Sequence, residues 1–367
     1  MINNFKKIVI KIGSSSIINE KTKKIKTAWL RTICKDISCI YPTKKIIIVC
    51  SGAIALGSKY INNNKSIFRL EDKQAAAAVG QIELVNYWRE ALKKKRINSA
   101  QILLTLGDSE VRRRYLNVRK TINALHKQNI IPIINENDTV ATEEIRYGDN
   151  DRLAARVAQM IDADLLILLS DVDGLYSENP LQNKKAKKIA DVFKVNSRIE
   201  KMASTNLSAL GSGGMTTKIW AAKICMNSGC SVVVTNSKKP RPIQNITKKN
   251  STWFHAEKSP KSSRKQWILN HLHPSGTVII DQGAIKAVNN NKSLLPAGVI
   301  EIKGRFNRGD VISILNNQNN KVGIGIIAYD SSDAKKIVGK NIKDIKDILG
   351  YEGRNELIHK DDLVKVN

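Results

Sequence analysis

Six short apolar runs punctuate the first two thirds of the chain, at 6–12, 45–50, 101–105, 130–134, 164–169 and 231–235. They are rich in Ile, Val and Leu, and 45–50 is apolar enough for a strand buried on both faces. Between them the spacing turns helical. Trp29, Leu30, Ile33, Ile37 and Ile40 share one face of 27–41, and a long pattern surrounds Ala75–Ala78 within 70–96. A basic pattern spans 108–128, Leu153, Val157 and Ile161 follow a helix start at 149–151, and a helix runs from Lys218 to about 228. Strands alternating with helices predict a mostly parallel sheet covered on both faces. Residues 177–201 are polar and Lys-rich, as expected of a surface hairpin or lid, and 238–265 are basic and unpatterned, as expected of a linker. Beyond them the period changes: 277–280, 299–302, 310–314 and 322–326 read as short strands between Gly and Asn turns, a small barrel-like β domain. The expected boundaries are 1–258, a join at 259–274, a second domain at 275–355 and a tail at 356–367.

Length supports this division, since 367 residues suffice for two domains. No window reaches the ~18 apolar residues of a membrane span, and the start is expected to lead into a strand, not a signal peptide. Cys34, Cys39, Cys50, Cys225 and Cys230 are odd in number and lack paired metal spacing, which suits a reduced, cytoplasmic setting. The formal charge is +28, but residues 265–367 hold 15 basic and 11 acidic side chains against 46 and 22 upstream. Enrichment in Lys, Ile and Asn together fits compositional drift better than a built polyanion surface. The potential still attracts anionic substrates.

Against that background residues 135–151 stand out. Glu136, Asp138, Glu143, Glu144, Asp149 and Asp151 face one base, Arg146, with Asn135, Asn137 and Asn150 among them. At a strand's carboxyl end this composition suits an ammonium-bearing ligand or a hydrated metal ion, or else a solvated polar loop. Lys11 precedes Gly13-Ser14-Ser15-Ser16, which offers N–H and hydroxyl donors to a phosphate; an edge-strand lysine before an ordinary turn is the alternative. Ser51-Gly52-Ala53 follows the second strand, and Ser170-Asp171 the fifth, where Asp171 faces a ligand or makes a turn with Gly174. Gly211 to Lys218 (Gly-Ser-Gly-Gly-Met-Thr-Thr-Lys) opens a helix, where free N–H groups and the dipole favour an anion, although the P-loop spacing is absent.

Taken in order, Lys11–Ser15, Ser51–Ile54, Ile134–Asp138, Gly148–Asp151, Ser170-Asp171 with Gly174–Tyr176, and Gly211–Lys218 resemble the glutamate 5-kinases of the amino-acid kinase family. Asp281–Ala284, Ser293–Gly298 and Phe306–Val311 resemble a PUA domain. The resemblance covers nearly the whole chain. It implies an αβα sandwich followed by a PUA-like barrel, and ATP-dependent phosphorylation of the L-glutamate side-chain carboxylate, the first step of proline synthesis. It implies ATP and Mg²⁺, a homo-oligomer (commonly a tetramer) and proline as feedback inhibitor. Lys11 and Lys218 are expected to neutralise the transferring phosphoryl group, with Asp151 holding them. Ser51, Asp138, Asn150 and Asn135 are expected at glutamate, Asp138 on its α-ammonium. Gly13, Ser14, Ser170, Asp171, Ser212, Gly213, Gly214, Met215, Thr216 and Thr217 are expected at ATP together with the two lysines, and no protein metal ligand is expected. Ser170 and Ser212 stand where the family often has Thr, and both keep a hydroxyl. Kinases of aspartate, acetylglutamate or carbamate are the nearest rivals, and an RNA-binding PUA protein the rival of another class.

Overall fold

The structure is a computed structural model and describes residues 2–61, 69–105, 107–140, 150–180, 182–183, 185–204, 214–260, 263 and 274–365. The chain divides into two compact units, 1–260 and 261–367.

In the first unit β1 (Lys7–Ile12), α1 (Ser14–Ile17), α2 (Thr27–Ile40), β2 (Lys45–Cys50), α3 (Ala53–Gly57), α4 (Leu70–Lys93), β3 (Asn98–Leu104), α5 (Gly107–Glu110), α6 (Arg112–Lys127) and β4 (Ile130–Glu136) come first. They are followed by α7 (Asn150–Met160), β5 (Leu165–Ser170), β6 (Leu175–Tyr176), β7 (Lys188–Ile189), β8 (Asp191–Val192), α8 (Ser197–Ser204), α9 (Met215–Asn227), β9 (Ser231–Asn236) and β10 (Ser251–Phe254). Eight strands form one sheet, ordered β3-β4-β2-β1-β5-β9-β10-β8. All neighbours are parallel except β9 and β10.

Two aliphatic cores cover the faces. Ile8, Ile10, Ile12, Ile46, Ile48, Ile131 and Ile133 pack with α2 and with Leu84, Trp88 and Leu92 of α4. The alternate residues Val9, Ile47, Val49, Ile134, Leu166 and Leu168 pack with Ile122 of α6 and with α7 and α9. The two-residue period of each strand thus assigns every side chain to one helical layer. β1 lies between β2 and β5, so the edge-strand reading of Lys11 does not hold: a short strand that carries both Lys7 and Lys11 is central here, and Lys11 is buried.

Residues 251–254 also differ from expectation. They form β10, and Ser251, Thr252, Trp253 and Phe254 are all buried. Four residues carry too little period to stand out among flanking lysines, and their burial comes from pairing with β9 and β8. Asp36 holds the segment before it: this fully buried carboxylate accepts from Arg241 Nε at 3.0 Å and from the amides of Ile243 and Gln244. The hairpin expected within 177–201 begins earlier than that segment: β6, at Leu175–Tyr176, pairs antiparallel with β7, at Lys188–Ile189.

The second unit is a five-stranded sheet, ordered β12-β11-β13-β14-β15 from β11 (Gly276–Ile280), β12 (Val299–Gly304), β13 (Val311–Asn316), β14 (Lys321–Ile326) and β15 (Leu363–Lys365). The tail expected at 356–367 is packed as far as Lys365, the last described residue: β15 pairs with β14, and Leu357 and Ile358 enter the core beside Val278, Ile280 and Ile314. The segment's few apolar positions lie between charged ones, so the pattern alone does not mark them. The join expected at 259–274 lies mostly outside the described residues.

Candidate active site

Strand register fixes where the polar residues gather. Ile12 pairs with Cys50 and Leu169, Val49 with Ile134, and Leu169 with Thr235. The residues just past these positions are level at the carboxyl edge of the sheet: Gly13, Ser51, Glu136, Ser170 and Asn236. The chain leaves β1 for β2 and later returns on its other side as β5, so strand order reverses there, the place where open α/β sheets bind ligands.

α7 begins at this edge, and its first two residues serve opposite faces of the sheet. On the face of Val9 and Leu168, Lys11 Nζ lies 2.6 Å from Asp151 Oδ1 and Lys218 Nζ lies 3.1 Å from Asp151 Oδ2. Thr217 Oγ1 is 3.2 Å from the same Oδ2 and 2.8 Å from the Gly214 carbonyl oxygen. Asp151 is fully buried, which disfavours its charge, yet Lys11 and Lys218 outweigh burial and hold its carboxyl well below the usual range. One carboxylate between two ammonium groups leaves a net cation beneath the edge. A Cβ on Gly13 would approach nothing closer than Lys11 Nζ at 3.8 Å, and one on Gly214 would meet nothing within 4 Å. Open space beside the two lysines fits a polyphosphate.

On the opposite face three carboxamides form a relay. Asn150 Nδ2 donates to the Cys50 carbonyl oxygen at 2.7 Å and to Asn135 Oδ1 at 2.8 Å, and Asn135 Nδ2 donates to Gln81 Oε1 at 2.6 Å. Asn135 faces this way because it continues the alternation of Ile131 and Ile133. Both donors of Asn150 are engaged, so it presents an acceptor. Asp138, three residues beyond Asn135, is half-buried, and burial pushes its carboxyl up to about 6. Ser51 is half-buried; its amide donates to the Ile12 carbonyl. The next residue, Gly52, has φ +121°, and a Cβ there would lie 2.5 Å from Ile18 Cδ1, so only glycine fits this turn.

At the ends of β5 and β9, Ser170 Oγ donates to Asp171 Oδ1, Asn236 Nδ2 to the Asp171 carbonyl, and the Ser237 amide to the Ser170 carbonyl. Ser170 is buried and Asp171 exposed. Ser14 and Thr216 are exposed, while the Met215 side chain enters the core and leaves only its main chain for a ligand. Ser212 and Gly213 lie outside the described residues, as do Gly148 and Asp149. The sequence reading missed Gln81, Asn236 and Ser237. Gln81 had a signal, since it is the one amide on the buried stripe of Ala77, Leu84, Trp88 and Leu92.

Comparisons with known proteins agree with this layout. The amino acid kinase family matches residues 6–236 and the PUA domain residues 276–349. A glutamate 5-kinase of Pelagibacter ubique is 49% identical over all of both chains. One of Paramagnetospirillum magneticum is 46% identical over 98% of this chain and 97% of the relative, and one of Sinorhizobium fredii 48% over 99% and 93%. Family match, full-length identity and the lysine–aspartate–lysine centre at the switch point agree: the chain belongs to the amino acid kinase family and, within it, to the glutamate 5-kinases.

Proposed function

We infer that the chain transfers the γ-phosphoryl group of ATP to the side-chain carboxylate of L-glutamate, giving L-glutamyl 5-phosphate for proline synthesis. The observation that carries the reading is the buried Lys11–Asp151–Lys218 centre, with bonds of 2.6 and 3.1 Å, beneath the open space at Gly13 and Gly214. The attacking carboxylate is already ionised at neutral pH, so no general base is required. Rate enhancement then comes from positioning and from preorganised positive charge on the phosphoryl oxygens. Asp151 keeps the two ammonium groups together in the empty enzyme and fixes their spacing for the transferring group.

Asn150 Oδ1 and the Asp138 carboxylate offer acceptors to the substrate's α-ammonium, with Ser51 and Asn135 beside them. A free amino group suits this pair better than an acetylated one, which disfavours acetylglutamate. On the nucleotide side Ser170, Asp171 and residues 212–218 hold ATP, with Gly13 and Ser14 at its phosphates. Mg²⁺ would be carried chiefly by ATP's own phosphates, because Asp151, the carboxylate at the centre, is already paired with two lysines. When bound, the ion would neutralise phosphate charge. Homo-oligomerisation and proline inhibition follow from the family resemblance, and sedimentation and a proline titration test them. No helix among the described residues is long and apolar enough to cross a membrane.

The decisive experiment incubates the purified protein with ATP, Mg²⁺ and L-glutamate and traps the acyl phosphate with hydroxylamine. Aspartate and acetylglutamate run in parallel. Hydroxamate with glutamate alone is the expected result. None with any substrate, from folded protein that binds ATP, overturns the reading and favours RNA binding by the second unit, which a retention assay across salt concentrations detects.

A further inference from the structure

The carboxamide relay has a forced polarity. A carbonyl oxygen only accepts, so Asn150 must turn Nδ2 to Cys50. Asn135 must then present Oδ1 to Asn150, and its own Nδ2 needs an acceptor, which Gln81 Oε1 supplies. Asn135 is 2% and Asn150 4% exposed, so neither carboxamide can rely on bulk water for its orientation. Gln81 closes the relay at the cost of its own remaining donor: Nε2 is buried and has no partner among the described residues. On a helical stripe otherwise made of Ala, Gly, Leu and Trp, a leucine would fill the position without that loss.

The seating of Gln81 is equally specific. Helices α3 and α4 meet backbone to backbone at Gly57 and Gly80: a Cβ on Gly80 would lie 1.9 Å from the Ala53 carbonyl oxygen, and one on Gly57 1.8 Å from that of Ala76. This contact sets α4 against the turn after β2 and brings Gln81 within 2.6 Å of Asn135 at the end of β4. The sequence spends two glycines and a buried amide on one register.

The geometry points to Gln81 as a positioning residue of the amino-acid subsite. It locks the Asn135 carboxamide and, with Cys50, the Asn150 carboxamide, so that Asn150 keeps its acceptor toward the α-ammonium of glutamate. The proposal rests on the reading of Asn135 and Asn150 as substrate residues.

The test compares wild type, Gln81→Met, Asn135→Ala and the double variant by steady-state kinetics in glutamate and in ATP, with thermal melts alongside. Gln81→Met keeps the shape and removes the acceptor. It raises the KM for glutamate about ten-fold, while kcat and the KM for ATP stay within about two-fold. The melting temperature holds or rises. In the Asn135→Ala background the same change adds nothing, because its effect passes through Asn135. If Gln81→Met does not fold, Gln81→Asn, one methylene too short to reach Asn135, carries the same expectation. An unchanged glutamate KM in the variant, or an effect that adds in full to that of Asn135→Ala, overturns the proposal. If Asn135→Ala alone leaves that KM unchanged, the subsite reading fails first, and the two failures are distinct.

Discussion

Lowering the pH should weaken glutamate binding through a single side chain. Burial raises the Asp138 carboxyl to about 6 in the empty enzyme, since the charged form loses hydration. An α-ammonium binds the ionised form, so binding is undisturbed above that value and lost as pH falls through it. With one titrating group, about nine tenths of the enzyme is competent one unit above the pKa and about one tenth one unit below it. The kcat/KM for glutamate should therefore drop about ten-fold from pH 7 to pH 5. The slope approaches one decade per unit at the acid end, and kcat changes little. Initial rates of ADP formation, measured at saturating ATP across that range, read the profile directly. Asp138→Asn is the control: it keeps the shape, removes the charge and raises the KM by about ten- to hundred-fold, the range for a hydrogen bond to a charged group. It also abolishes the inflection, whereas any titration belonging to ATP survives in both proteins. Identical profiles for wild type and Asp138→Asn would refute the assignment of Asp138 to the ammonium.

Three further outcomes follow from named contacts. Lys218→Ala should lower kcat by about 10²–10³, as for loss of one preorganised charge donor, with the glutamate KM nearly unchanged; single-turnover rates check it. Gly80→Ala should destabilise the protein by about 1–3 kcal/mol in urea titrations despite alanine's better helix propensity, because its Cβ would fall 1.9 Å from the Ala53 carbonyl oxygen. A stabilised Gly80→Ala would disprove the backbone contact. Ile358→Ala should cost the second unit about 2–5 kcal/mol, because that side chain is fully buried within its core; a change too small to detect by calorimetry would return residues 356–365 to the status of a tail.

What the sequence determined is what repeats or what is chemically scarce. Continuous apolar runs yielded six strands of the main sheet, because the central strands of a parallel sheet between two helical layers need both faces apolar. Lys11, Asn135, Asn150, Asp151 and Lys218 were legible because polar residues at strand and helix ends break that pattern. Tertiary structure decided the rest. β10 and β15 are too short to carry a period, and only pairing with β9, β8 and β14 makes them strands. Whether Lys11 was central or at an edge depended on strand order, which local spacing does not encode. The pairing of Asp151 with two lysines from distant segments, 2.6 and 3.1 Å away, arises where the β1 register meets the start of α7 and the first turn of α9. Gln81 looked like one polar position in a long helix. It became part of the site only when two glycines let α4 descend onto α3, since a contact between sequence-distant elements is set by packing and not by the local chain.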